Sequence, residues 1–174
     1  MKPLSFAACF ALAFTLAVPA ADIPSGATSP AAFSQASFSG KWVLDKKKSP
    51  NPANAPAALI QEIKPDGDKL IVKSRYDQPQ DGMYPIFWVG IMTDELDLTT
   101  DGNETVNSIG PFDHRSKTTL DGNKLTTDWT AMGGQVQGQW VRTLSDDGRH
   151  MTMEVHGKCT DGRQMTATLF FNKK

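Results

Sequence analysis

The chain has 174 residues, 39% of them hydrophobic, and a formal net charge of −1 at pH 7. This length suffices for one domain with a substantial core, and the 18 basic and 19 acidic residues form no basic stripe. A nucleic-acid-binding function is therefore excluded, because that function needs a concentrated positive surface.

The first twenty residues have the pattern of an export signal. Lys2 gives a positive start, Leu4–Val18 is almost wholly apolar, and Val18–Ala20 supplies the small residues that signal peptidases accept. The apolar run is too short to predict a membrane-spanning helix. We therefore expect residues 1–20 to be a signal peptide and the mature chain, which would begin near Ala21, to be periplasmic or secreted.

Residues 21–37 are rich in Ala, Ser, Pro and Gly and contain few large apolar side chains. Such a segment buries too little surface to order itself, which predicts a flexible leader. The folded domain is predicted to span residues 38–174. After processing, Cys159 would be its sole cysteine, within a predicted turn over Lys158–Gly162, so no internal disulfide is possible.

The predicted domain is built of short strands. Asp-Gly dipeptides, which suit tight turns, separate segments rich in Thr, Val, Ile and aromatic residues that alternate as strands do. The predicted strands are Gly40–Asp45, Ala57–Lys64, Lys69–Tyr76, Tyr84–Met92, Leu96–Thr100, Glu104–Ser108, Asp113–Leu120, Asn123–Ala131, Gln135–Leu144, Arg149–Gly157 and Arg163–Phe171. Because long crossovers are nearly absent, the pattern favours an all-β, antiparallel up-and-down barrel of eight to ten strands over a sandwich.

The opening Phe38–Trp42 resembles the Gly-x-Trp start of lipocalins and fatty-acid-binding proteins. The segments Trp42–Leu44 and Leu144–Gly148 and the ending Phe170–Lys173 are similar to a group of uncharacterised exported bacterial lipocalin-like proteins. The resemblance covers nearly all of the chain from Phe38 onward. It implies a lipocalin-like barrel that binds a small molecule in its interior.

The resemblance also implies how the barrel floor closes. Gly40 would let the chain bend over the floor, Trp42 would plug that end, and Lys173 or Lys174 would pack on the Trp42 ring. One family feature is missing. The Arg-x-Tyr pair that holds the ligand carboxylate in fatty-acid-binding proteins is replaced by Leu and Phe in the last strand, so the resemblance does not imply a fatty acid.

The inward face, assigned from side-chain alternation, is rich in Trp and Met. Arg142 shares this face with Trp140, so an inward guanidinium would anchor a carboxylate or phosphate. In the alternative interpretation Arg142 lies at the rim with its head in water. The candidate ligand-binding residues are Trp88, Trp129, Trp140, Arg142, Met151, Met153, Met165 and His114.

Three functions follow from this set. The first is a carrier of a small hydrophobic molecule, and the second is a non-binding structural or interaction module of the cell envelope with a packed barrel. The third, a barrel-pocket enzyme, would need an inward acid or base such as His114 beside Arg142. No nucleophile motif or metal-ligand spacing occurs, so we assign no catalytic residue, metal or cofactor. Ligand identity and oligomeric state stay open.

Overall fold

The computed structural model describes residues 34–50, 56–77 and 86–174. The predicted signal peptide over residues 1–20 and most of the predicted leader lie outside these ranges. At the end of the leader, Gln35–Phe38 forms a single helical turn, α1. The Gln35 side chain donates a hydrogen bond to the Asp68 carbonyl oxygen at 3.2 Å, which connects this turn to the rest of the domain.

Ten antiparallel strands follow α1 and form one sheet. They are β1 (Gly40–Leu44), β2 (Leu59–Asp66), β3 (Lys69–Tyr76), β4 (Glu95–Thr99), β5 (Asp101–Ile109), β6 (Phe112–Asp121), β7 (Lys124–Ala131), β8 (Val136–Leu144), β9 (His150–Cys159) and β10 (Gln164–Lys173). Each strand pairs with its neighbours in sequence except that β4 and β5 are the two edges of the sheet, and β1 also pairs with β10. The prediction of an all-β up-and-down barrel is confirmed, with ten strands.

The barrel is nearly closed, because its two edge strands meet through side chains instead of a backbone ladder. The Asn107 amide of β5 bridges to β4, accepting a hydrogen bond from the Asp97 N–H at 2.8 Å and donating one to the Asp97 carbonyl at 2.9 Å. Beside it, the Thr99 N–H donates to the Thr105 hydroxyl at 3.2 Å. These contacts replace backbone pairing along the β4–β5 seam.

Alternation of side chains fills the interior. In β9, Met151, Met153 and Val155 are buried, whereas Glu154 and His156 between and beside them are exposed. Hydrophobic burial on one face, with polar residues on the other, stabilises an antiparallel sheet that has water on its outer side. The inward faces predicted for β7 to β10 follow the same rule.

The predicted strand Tyr84–Met92 is wrong in its described part. Ile86–Trp88 is a short 3-10 turn, and the N–H groups of Ile91 and Met92 both donate to the Trp88 carbonyl, at 3.0 and 2.8 Å. Gly90, with a φ of +86°, then turns the chain away from an extended path. The run is apolar throughout, so its sequence lacks the periodicity that separates a buried strand from a buried turn.

A second correction concerns Cys159. This residue was expected in a turn, but it is the last residue of β9, and its side chain is buried on the inward face. The turn begins one residue later, because the Cys159 N–H still donates to the carbonyl of Arg163, the residue before β10, at 2.8 Å.

One end of the barrel is closed by Trp42. Its ring is fully buried, and its Nε1 donates to the Phe38 carbonyl at 2.8 Å. The Lys173 ammonium lies 5.1 Å from the Trp42 ring centroid, within range of a cation–π interaction. Gly40 has a φ of +135°, and a Cβ on it would lie 2.6 Å from the Lys173 Cε. The absence of a side chain at residue 40 therefore makes room for the lysine.

We expect Gly40→Ala to lower the free energy of unfolding by about 2 kcal/mol, since alanine disfavours this φ and displaces Lys173 from the Trp42 ring. Gly122→Ala is the matched control, because Gly122 also has positive φ but has nothing within 4 Å of a Cβ. It should cost about 1 kcal/mol. Urea unfolding measures both. Equal losses in the two variants would contradict a packing role for Gly40.

Candidate functional site

Arg142 of β8 lies inside the barrel, and its side chain is completely buried. Its cross-strand neighbours are Leu125 and Met153, both apolar. None of its guanidinium nitrogens has a hydrogen-bond partner among the described residues. Burial lowers the pKa of Arg142 to about 10, so the guanidinium remains charged at neutral pH.

A buried charge without a counter-charge is unfavourable by several kcal/mol on general grounds. The guanidinium also presents a planar fork of donors that matches a carboxylate or phosphate. Its Cζ lies 5.6 Å from the Trp140 ring centroid, so an apolar wall adjoins the charged group. This geometry suits an anionic group carried on an apolar body.

Three rings form a cluster beside Arg142 on the same wall, which we call the ring cluster (His114, Trp129 and Trp140). The His114 centroid lies 5.3 Å from that of Trp140 and 5.5 Å from that of Trp129, and both interplanar angles are below 20°. His114 is fully buried, and neither of its ring nitrogens has a partner among the described residues. Burial lowers the pKa of His114 from 6.5 to about 4, so the ring is neutral at pH 7.

Further buried polar atoms of the described interior lack hydrogen-bond partners. They are the indole Nε1 atoms of Trp88, Trp129 and Trp140, the Ser116 hydroxyl and the Gln61 Oε1. Indole and guanidinium nitrogens are donors only, so this set contains more donors than acceptors. A molecule that complements this interior would therefore carry hydrogen-bond acceptors.

The segment of residues 86–92, which we call the mouth segment, covers the end of the barrel opposite Trp42. It connects β3 to β4, and it buries Trp88, Ile91 and Met92. Gly90 lies directly on the ring cluster, because a Cβ there would be 2.6 Å from the Trp140 Cη2 and 2.8 Å from the His114 Nε2. The candidate site is thus bounded by the floor, the strands and this segment.

The structure brings four of the predicted site residues together, namely His114, Trp129, Trp140 and Arg142. Trp88 joins the interior from the mouth segment and not from a strand. Sequence reasoning missed Gln61, which is buried in β2 and donates to the Ser74 hydroxyl at 3.2 Å. The signal was present, since Gln61 interrupts the inward row of Leu59 and Ile63 with a polar residue.

The three predicted methionines occupy different places. Met153 lies directly opposite Arg142 across β8 and β9, whereas Met151 lies opposite Leu144, farther along the strands. Met165 is half-buried. Together with exposed residues such as His156 and Gln164, it lines an outer groove of about 580 Å³. Met153 is therefore the methionine that the register puts beside the guanidinium.

Reactive groups of the usual kinds are not assembled in the described residues. His114 and Ser116 share one face of β6, but no hydrogen bond joins them, so they do not form a nucleophile and base pair. In the same ranges, no group of three or more His, Cys, Asp or Glu side chains is placed to hold a metal ion. No helix of the described chain is both long and apolar enough to cross a membrane.

The strand order and the buried interior are those of an antiparallel up-and-down β-barrel. No family model and no curated protein matches the sequence. Among solved structures, the chain is similar to a REP1-NXSQ fatty acid transporter, with a TM-score of 0.54 and 21% identity over 80% of this chain and 97% of that chain.

Two other similar structures have lower identity. A secretary abundant heat soluble protein from Ramazzottius varieornatus has a TM-score of 0.58 and 14% identity, covering 79% of this chain and 96% of its own. Apo lipid binding protein 8 from Caenorhabditis elegans has a TM-score of 0.52 and 11% identity, and the match covers 81% of this chain and 98% of that chain. At these identities the likeness shows the fold.

The buried state of His114 predicts acid sensitivity. The unfolded chain binds a proton at His114 near pH 6.5 and the folded protein only near pH 4, so stability falls as the pH falls through this window. The loss by pH 4 should be about 3 kcal/mol. In His114→Phe this part of the pH dependence should vanish in urea unfolding series.

The matched control is His156→Gln, because His156 is exposed on the outer face of β9. This variant should keep the pH dependence of the original protein. If the His114→Phe protein still loses the same stability between pH 6.5 and pH 4, other groups cause the loss. The folded protein would then bind a proton at His114 as readily as the unfolded chain does.

Proposed function

We propose that the protein is an exported carrier of a small hydrophobic molecule, held in the barrel interior with an acidic group on Arg142. The observation that carries this proposal is the unpartnered, fully buried guanidinium of Arg142. Evolution tolerates an unfavourable buried charge most readily where function requires it. A ligand carboxylate or phosphate would supply the missing counter-charge.

The surroundings of Arg142 support the hydrophobic part of the proposal. Trp140, Met153 and Leu125 adjoin the guanidinium and offer apolar surface to the body of a ligand. Methionine adapts its shape to varied partners. The similar structures include proteins named as a fatty acid transporter and a lipid binding protein, which agrees with this kind of ligand.

Export rests on residues 1–20, whose charged start, apolar run and small residues before Ala21 are typical of a signal peptide. An exported carrier would meet its ligand outside the cytoplasm. N-terminal sequencing of the mature protein tests this part of the proposal, since a chain that begins at Met1 would contradict it.

A second candidate is a non-binding module of the cell envelope with a packed barrel. The observation in its favour is the mouth segment, whose Trp88, Ile91 and Met92 fill the end through which a ligand would enter. In this case no ligand would enter the interior, and small acids would bind neither the original protein nor a variant without Arg142.

Substitution of Arg142 separates the two functions. We expect alkanoic and aromatic acids to change the tryptophan emission of the original protein, because all four of its tryptophans are buried. Their methyl esters should bind at least about 10-fold more weakly. In Arg142→Met the affinity for the acids should fall to the affinity for their methyl esters. A flat response across the whole panel would contradict a carrier and favour the packed module.

The same variant should be more stable without ligand, by about 1–3 kcal/mol, because methionine removes an unpaired buried charge at similar volume. Arg115→Met is the matched control, since Arg115 is exposed and pairs with Glu104 at 2.8 Å. It should change stability by about 0.5 kcal/mol or less. A destabilised Arg142→Met protein would indicate a structural role for the guanidinium.

A further inference from the structure

The interior has a second polar end, separate from Arg142. His114 and Ser116 lie on the inward face of β6, both are buried, and neither has a hydrogen-bond partner among the described residues. Trp129 is directly opposite Ser116 across β6 and β7, and its Nε1 is also unpartnered. Three side chains thus bring unused donors and acceptors to one place.

Strand register separates this place from Arg142. His114 lies opposite Ala131, which in turn lies opposite Val136, whereas Arg142 is six positions farther along β8. The inward positions Gly138 and Trp140 lie between them. Both polar ends nevertheless reach the same indole, because His114 and the Arg142 Cζ lie 5.3 and 5.6 Å from the Trp140 ring centroid. A small molecule that contacted both ends would therefore lie along the Trp140 ring.

The chemistry of the second end is neutral. Arg142 is the one buried lysine or arginine of the described residues, so no cation accompanies His114. Burial lowers the pKa of His114 to about 4, which leaves one ring nitrogen as donor and the other as acceptor at pH 7. The Ser116 hydroxyl also both donates and accepts. Such a set complements a hydroxyl, keto or amide group better than a second acid.

We propose that the ligand is a bifunctional molecule, with an acid at one end for Arg142 and a neutral oxygen-bearing group at the other for His114 and Ser116. This inference rests on the proposed carrier function and narrows its ligand class to hydroxy or keto acids. The apolar middle of the molecule lies against Trp140. A plain hydrocarbon acid would leave the groups around His114 buried and unsatisfied, which costs binding free energy.

Matched acids test this ligand class. Octanoic, decanoic and dodecanoic acids are compared with their terminally hydroxylated forms, by tryptophan emission or by displacement of a bound dye. For the chain length that spans both ends, the hydroxy acid should bind about 10-fold more tightly than its parent acid. Equal affinities for parent and hydroxy acid at every length would overturn the proposal.

Substitutions test whether His114 and Ser116 cause the preference for the hydroxy acid. His114→Phe should abolish the preference for the hydroxy acid but keep the preference for acid over methyl ester. Arg142→Met should abolish the preference for acid over methyl ester but keep the preference for the hydroxylated form. His156→Gln, on the outer face, should keep both preferences. If His114→Phe does not fold, Ser116→Ala removes the hydroxyl at small cost in volume and should reduce the preference.

The outcomes distinguish the two proposals. If acids bind with a preference over esters but the terminal hydroxyl has no effect, the carrier function stands and the bifunctional ligand is wrong. If no acid of either kind binds, both are wrong. A hydroxyl preference that persists in both His114→Phe and Ser116→Ala would show that other groups recognise it.

Discussion

A positive charge enclosed in an apolar barrel is the constraint on which the rest of the structure depends. The Arg142 guanidinium has Leu125 and Met153 as its cross-strand neighbours and no hydrogen-bond partner in the described chain. Folding must bury it at an unfavourable free energy, so the surrounding strands and floor have to stabilise the barrel without its help. The ten-stranded sheet, with its apolar inward rows, supplies that stability.

The two ends of the barrel differ in how they are closed. At the floor, Trp42 is fixed by a hydrogen bond to Phe38 and by the ammonium of Lys173. At the other end, the mouth segment is held by packing on His114, Trp140 and the strands, and its described hydrogen bonds run within its own turn. Trp42 is thus held by polar contacts with its surroundings, whereas the mouth segment is held by the packing of its side chains.

Much of the fold follows from local patterns. Asp-Gly turns and period-two alternation predict β3 as Lys69–Tyr76, the bounds that the structure has, because these signals act over a few residues. The mouth segment was predicted wrongly, since a short apolar run has no period. The ring cluster could not be predicted in full. His114, Trp129 and Trp140 meet through the register of three strands, which depends on the whole sheet.

The seam between β4 and β5 bears on the width of the interior. Nine strand pairs are backbone ladders, but here the Asn107 amide and the Thr105 hydroxyl span the gap. A few side-chain hydrogen bonds break and reform more easily than a ladder. The β4–β5 seam is therefore the line along which we expect the barrel to widen at the lowest free energy, because the nine backbone ladders would stay intact.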